Sequence, residues 1–246
     1  MKTIGSDPRR QRLFVFPHAG SSCAHYWGWK RYLESDLEIV PVELPGRGSR
    51  FDVPLCTDMA AMVEDVFLQV SDRLAGGYSL FGHSMGALLA FELAHRIADS
   101  GLPRPNHLFI SGRGAPHLRE PSNLLQDRNQ GRFRESLLAL GGSTSELFDD
   151  PRLAEIFLPI LEADIRLIGS HRHSAHRGRL PVPITVLCGR EDAIPSGSLR
   201  AWREHTGKSF GMRLFDGGHF YLRHKADEIC RIIVDTLKED AVCPMA

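Results

Sequence analysis

The chain has 246 residues, 42% of them hydrophobic and 24% charged. These are globular proportions and exclude disordered and fibrous classes. Thirty Lys and Arg match thirty Asp and Glu, so the net charge is zero, whereas a general nucleic-acid binder carries a basic excess.

Short apolar runs alternate with helical patterns along the chain. Leu13–Pro17 reads as a first strand, and Leu37–Leu44 as a second, in which Pro41 marks an edge or a bend. Thr57–Leu74 has helical spacing, with Met59, Met62, Val63, Val66, Phe67, Val70 and Leu74 on one face and Thr57 or Asp58 as cap. Tyr78–Gly82 reads as a strand running straight into Met85–Ile97, an alanine-rich buried helix. His107–Ser111, Ile184–Cys188 and Met212–Phe215 read as strands, Gly197–His205 and Ala226–Leu237 as helices. Strand and helix in alternation predict a mainly parallel sheet covered on both faces.

Gly114–Pro181 breaks this rhythm. It holds no convincing strand, and Arg128–Leu140 and Pro151–Ile168 read as helices. Asp150 is the expected cap of the second, Pro151 its first residue and Pro159 a kink. A helical insertion between two strands of such a sheet predicts a lid, here over about residues 114–181 of a single domain spanning 1–246.

Five cysteines (Cys23, Cys56, Cys188, Cys230 and Cys243) are odd in number, scattered and free of any C-x-x-C. A reducing cytoplasm fits them better than a disulfide framework or zinc ribbon. Met1–Arg12 lacks the apolar stretch of a secretory signal. No apolar run approaches the ~18–20 residues that span a bilayer.

Chemistry concentrates at Gly82-His83-Ser84-Met85-Gly86, a G-x-S-x-G motif placed after a strand and opening a helix. That context marks a nucleophile elbow, a turn so tight that a side chain at either glycine meets backbone. Ser84 then needs a base and a group to orient that base. His219 lies in Asp216-Gly217-Gly218-His219-Phe220, a glycine-rich loop after the last strand. Asp192 follows the preceding strand, with Glu191 beside it; Asp216 is a third candidate, close along the chain to His219. Otherwise Asp192 would cap a helix near Ser196. For the oxyanion, the backbone N–H of Met85 and of Ala19 are the expected donors, with Gly20 adjacent.

Several further features carry a blander reading. His171, His173 and His176 read as a solvated or partner-facing basic loop, not as metal ligands. Leu140-Gly141-Gly142-Ser143 reads as a helix C-cap. Arg47 and Arg50 read as structural or solvated, since their spacing forms no P-loop. Cys23 lies near the oxyanion loop without being the nucleophile.

The blocks FPHAGS (Phe16–Ser21), ELPGRGSR (Glu43–Arg50), FGHSMGALLAFELAHRI (Phe81–Ile97), LFISGRGAP (Leu108–Pro116), LEADIRLI (Leu161–Ile168) and FDGGHFYL (Phe215–Leu222) resemble the type II thioesterases associated with nonribosomal peptide and polyketide synthetases. The resemblance runs from about Leu13 to the last helix. It implies an α/β-hydrolase fold with a helical lid, and Ser84, Asp192 and His219 as nucleophile, acid and base. It implies hydrolysis of stalled or aberrant acyl groups from the phosphopantetheine arm of carrier proteins. Thioester hydrolysis by such a triad needs no cofactor or metal, and the charge balance and short apolar runs point to no nucleic-acid or membrane partner. A monomer is the default expectation. A medium-chain fatty acyl thioesterase or general carboxylesterase is the alternative; a non-catalytic binding protein is disfavoured by the intact triad.

Overall fold

The computed structural model describes residues 11–33, 37–118, 151–174 and 176–242. Its strands are β1 (Gln11–Phe16), β2 (Leu37–Pro41), β3 (Tyr78–His83), β4 (Leu108–Ser111), β5 (Ile184–Gly189) and β6 (Phe210–Phe215). They form one sheet in the order β2-β1-β3-β4-β5-β6, with every neighbouring pair parallel. β3, β4 and β5 are buried along their whole length, which explains why they read as continuous apolar runs rather than alternating ones. This is the mainly parallel, helix-flanked sheet that the alternation of strand and helix predicts.

Alternation along β1 sends its side chains to two different cores. Phe14 and Phe16 join a cluster with Met62, Val66, Leu88 and Trp202. Leu13 and Val15 join the opposite one with Trp29, Phe81, Phe109, Ile229 and Ile233. Helices α1 (Met59–Val70) and α2 (Met85–Ser100) therefore cover one face, and α5 (Ala226–Val242) covers the other. α3 (Pro151–Ser170) and the short α4 (Ser196–Arg200) lie between β4 and β6 in the chain.

The differences from the sequence reading have local causes. β2 stops at Pro41 on the edge of the sheet, where a proline is tolerated because its N position faces the open side; the Val42 N–H still donates to Val15 O at 3.0 Å. α1 starts at Met59 because the Asp58 carboxylate accepts the Ala61 N–H at 2.9 Å and caps it. Its last turn tightens into a 3₁₀ turn over Ser71–Arg73. The segment read as one helix over Gly197–His205 is α4 followed by a 3₁₀ turn, Ala201–His205. α5 runs five residues past Leu237. A 3₁₀ helix over Cys23–Tyr32, capped by Ser22, had no apolar period to reveal it. α3 begins at Pro151 as expected and continues through Pro159 to Ser170. Asp150, the Arg128–Leu140 helix, the Leu140–Ser143 cap and Cys243 lie outside the described residues.

α3 docks beside the C-terminal ends of the strands. The Met59 N–H donates to Ser170 Oγ at 2.8 Å, which ties the end of α3 to the start of α1. Leu161 packs over Gly20, in the turn that follows β1.

Candidate active site

β3 ends at His83 and α2 begins at Met85, so Ser84 makes the whole reversal. It sits at φ 55°, ψ −113°, the only non-glycine with positive φ among the described residues. Such a conformation costs about 1–3 kcal/mol and persists only where its surroundings enforce it. The enforcement is visible. The Ser84 N–H donates to Ser111 O at 2.8 Å. A Cβ on Gly82 would collide with the backbone of Gly86, and one on Gly86 with the carbonyls of Phe16 and Pro17. Both glycines are needed for the reason the motif predicts, and the second also seats α2 against the end of β1.

His219 and Asp192 meet across the next two loops. A Cβ on Gly189 would collide with the carbonyls of Gly217 and Gly218. The Arg190 N–H donates to Phe215 O at 2.8 Å and the Glu191 N–H to Gly217 O at 3.1 Å. Gly217 takes φ +113°, so the chain after β6 folds back along the chain after β5. That closure puts His219 Nδ1 2.8 Å from Asp192 Oδ2, with the Asp192 side chain only 3% exposed. The competing roles are not taken: Pro195 is the residue that precedes α4, and the Asp216 carboxylate is 83% exposed beside Arg190.

His219 packs on His83, the residue before Ser84, with ring centroids 4.9 Å apart. Among the described residues no hydrogen bond joins Ser84 Oγ to His219. In free hydrolases this contact is commonly loose and tightens when substrate binds.

Two further histidines wall the site, and sequence reasoning gave them no role. His83 Nδ1 is 2.8 Å from Ser111 Oγ, which in turn is 2.7 Å from Tyr221 OH. Burial, then electrostatic coupling to His219, His18 and Arg223, holds its pKa well below the usual histidine value. His18 is pushed down to about 3, chiefly by burial and then by His219. Both rings therefore stay neutral and add no charge beside His219. The signal lay inside the motif blocks already quoted, as His18 after β1 and His83 before Ser84.

Cys23 and Cys188 are held as thiols. Burial, reinforced by Glu43 and by Asp192 respectively, pushes both up to about 12, so neither supplies a thiolate nucleophile.

Both arginines of the PGRGSR turn are structural. Arg50 pairs with both oxygens of Asp65 at 2.7 Å. Arg47 pairs with Asp164 of α3 at 2.6 and 2.7 Å. Asp164 Oδ2 also accepts the Gly20 N–H at 2.7 Å.

The histidine-rich stretch after α3 is less solvated than its composition suggests. His171 Nε2 lies 2.8 Å from Glu92 Oε1, and Arg177 pairs with the other oxygen of Glu92. His173 packs against His117 and His205. Among the described residues no three His, Cys, Asp or Glu side chains are arranged to hold a metal ion, and no helix is long and apolar enough to cross a membrane. A groove of about 470 Å³ runs between α3 and the turn before α1, lined by Phe51, Val53, Leu55, Ile156, Pro159 and Ile160 among others.

Comparison with known proteins bears on this site. Residues 11–237 match the family model described as a thioesterase domain. The chain is 34% identical to the linear gramicidin dehydrogenase LgrE of Brevibacillus parabrevis, over 92% of this chain and 87% of that protein. It is 32% identical to thioesterase PikA5 of Streptomyces venezuelae, over 92% of this chain and 80% of that one. The structure of the type II thioesterase BorB, from the borrelidin biosynthetic cluster, superposes with a TM-score of 0.83 at 32% identity. It covers 94% of each chain.

Proposed function

Since this chain belongs to the thioesterase family, and is thus a hydrolase acting on thioesters, we propose that Ser84 is its acyl-accepting nucleophile. His219 is the general base and Asp192 the carboxylate that orients it. Ser84, held at φ 55° next to His83, on which His219 packs at 4.9 Å while paired to Asp192 at 2.8 Å, carries this assignment.

The chemistry follows from those groups. His219 Nε2 takes the Ser84 proton as Oγ attacks the thioester carbonyl. Asp192 accepts from Nδ1–H and stabilises the imidazolium that forms. The N–H groups of Met85 and Ala19 hold the oxyanion. The Gly20 N–H is already given to Asp164, which supports Ala19 over its neighbour. The tetrahedral intermediate collapses, its C–S bond breaks, and the thiol departs with the proton from His219, which returns the imidazole to its neutral form. Water then attacks the acyl-Ser84 ester. His219 takes its proton and returns it to Ser84 Oγ as the acid leaves. Removing one oxyanion donor typically costs about 3 kcal/mol of barrier.

The thioester is an acyl group on the phosphopantetheine arm of a carrier protein, and the enzyme clears aberrant or stalled chains from a nonribosomal peptide or polyketide synthetase. The similarity to a type II thioesterase and to gramicidin- and polyketide-pathway proteins supports this substrate class. The 114–181 insertion, including α3, acts as the lid. Free Cys23, Cys56, Cys188 and Cys230 fit work in the reducing cytoplasm, and the three triad residues of a single chain suffice for a monomer.

The test offers acyl-loaded holo-carrier, acyl-CoA and a simple ester side by side to the wild type and to Ser84→Ala. The carrier is expected to be preferred, and every activity lost in Ser84→Ala. Preference for the simple ester overturns the editing role; undiminished Ser84→Ala turnover overturns the triad.

A further inference from the structure

The turn that carries Ala19 is gripped from outside its own strand, by helix α3. Asp164 lies on α3, and its side chain is wholly buried, as is that of Arg47 to within 3%. Asp164 Oδ2 accepts both Arg47 Nη1, at 2.6 Å, and the Gly20 N–H, at 2.7 Å. Arg47 Nη1 also donates to Ser21 O at 3.3 Å, and Arg47 Nε to Pro45 O at 3.3 Å. The turn is thus held by its N–H at residue 20 and by its carbonyl at residue 21. Gly20 takes φ +73°, and Leu161, one helical turn before Asp164, packs over the position a Cβ would occupy. The Ser21 N–H closes the turn on His18 O at 3.1 Å.

An ion pair this deeply buried is a poor source of stability, because desolvation offsets its Coulomb attraction and well-packed apolar residues usually replace it without loss. Its geometry suits another task. Oxyanion donors act only when aimed correctly, and an error of about 1 Å can cost about 10²-fold in rate.

We infer that Asp164, held in place by Arg47, is a positioning residue for the oxyanion turn: α3 fixes the backbone that aims the Ala19 N–H, so the site is complete only while α3 is docked. This rests on the oxyanion role proposed for Ala19. α3 is then part of the catalytic assembly as well as a cover for it, and its departure lowers transition-state binding before it alters ground-state binding.

The test compares two double variants that share one change. Arg47→Met with Asp164→Leu removes the ion pair and the acceptor for Gly20. Arg47→Met with Asp164→Asn removes the ion pair but keeps an oxygen for the Gly20 N–H. Each is assayed with an acyl-N-acetylcysteamine thioester. Binding is measured for a trifluoromethyl ketone analogue, which forms a hemiketal on Ser84, and for the matching thioether, which does not. Thermal unfolding confirms folding. The expected result is a kcat about 10²-fold lower in the Leu pair, with equal loss of ketone affinity and unchanged KM and thioether affinity. The Asn pair should recover at least tenfold of that kcat. Equal kcat in the two pairs overturns the inference, as does equal loss of ketone and thioether affinity. If the Leu pair does not fold, Asp164→Glu, which keeps the charge but displaces the carboxylate from Gly20, takes its place with the same two outcomes. Full turnover in Ser84→Ala would instead remove the premise, and is read separately.

Discussion

Replacing Asp192 by Asn changes one buried atom pair and tests which acid serves His219. The carboxylate is 3% exposed and its Oδ2 lies 2.8 Å from Nδ1; in the proposed assignment the imidazole carries its proton on Nδ1, which leaves Nε2 free to take the proton of Ser84. An amide in the same place donates its own N–H to Nδ1, which moves the ring proton to Nε2 and leaves no base facing Ser84. The charge that stabilises the imidazolium is lost with it, and a buried charged hydrogen bond is worth about 1.5–3 kcal/mol. The two effects together predict a kcat loss of about 10³–10⁴-fold, about 4–5.5 kcal/mol, with little change in KM. Steady-state hydrolysis of an acyl-N-acetylcysteamine thioester reads this directly. Asp216→Asn is the control: its carboxylate is exposed beside Arg190, so activity should stay within about twofold. A loss under tenfold for Asp192→Asn, or equal damage from both variants, would rule out Asp192 as the acid that orients His219.

Three other changes probe the frame. Gly189→Ala puts a methyl against two backbone carbonyls that have no rotamer to yield. It should cost about 2–4 kcal/mol in thermal unfolding and about 10²-fold in kcat, since the His219 loop must shift. Tyr221→Phe takes the hydroxyl from Ser111 Oγ while keeping the stacking on Phe215. It should cost about 1–2 kcal/mol in denaturant unfolding and leave kcat within about threefold. The third concerns pH. Burial, and then electrostatic coupling to neighbouring histidines and, for His18, arginines, lowers His18 to about 3 and His205 to about 4. The unfolded chain binds protons on both near pH 6.5 while the folded chain does not. Stability is therefore full above about pH 6.5 and falls with pH until the folded values are reached. After allowance for solvent screening each contributes about 1–2 kcal/mol. Unfolding midpoints measured between pH 7 and 4 should fall, and His18→Gln should flatten the fall.

The elbow was legible because its chemistry is local: two glycines, a serine, a strand before and a helix after determine one geometry. His219 and Asp192 were legible by the same logic, each following an apolar strand and sitting in a short loop. What stayed hidden depends on residues far apart in sequence. Asp164 reads as one more helical acid until α3 brings it to Arg47, 117 positions away. Gly189 reads as the residue that follows a strand until the loop after β6 folds back against it. The basic stretch after α3 reads as solvated because composition does not reveal Glu92 beneath His171 and Arg177. The Cys23–Tyr32 helix is short and 3₁₀, with no period for a pattern to detect.

Trapping the acyl-enzyme tests the role of Ser84. Wild type and Ser84→Ala are mixed with acyl-loaded holo-carrier, quenched within a single turnover, and examined by intact-protein and peptide mass spectrometry. An acyl adduct on the wild-type peptide containing Ser84, absent from Ser84→Ala together with release of free acid, is the predicted result. An adduct on another residue, or undiminished acid release by Ser84→Ala, would contradict it.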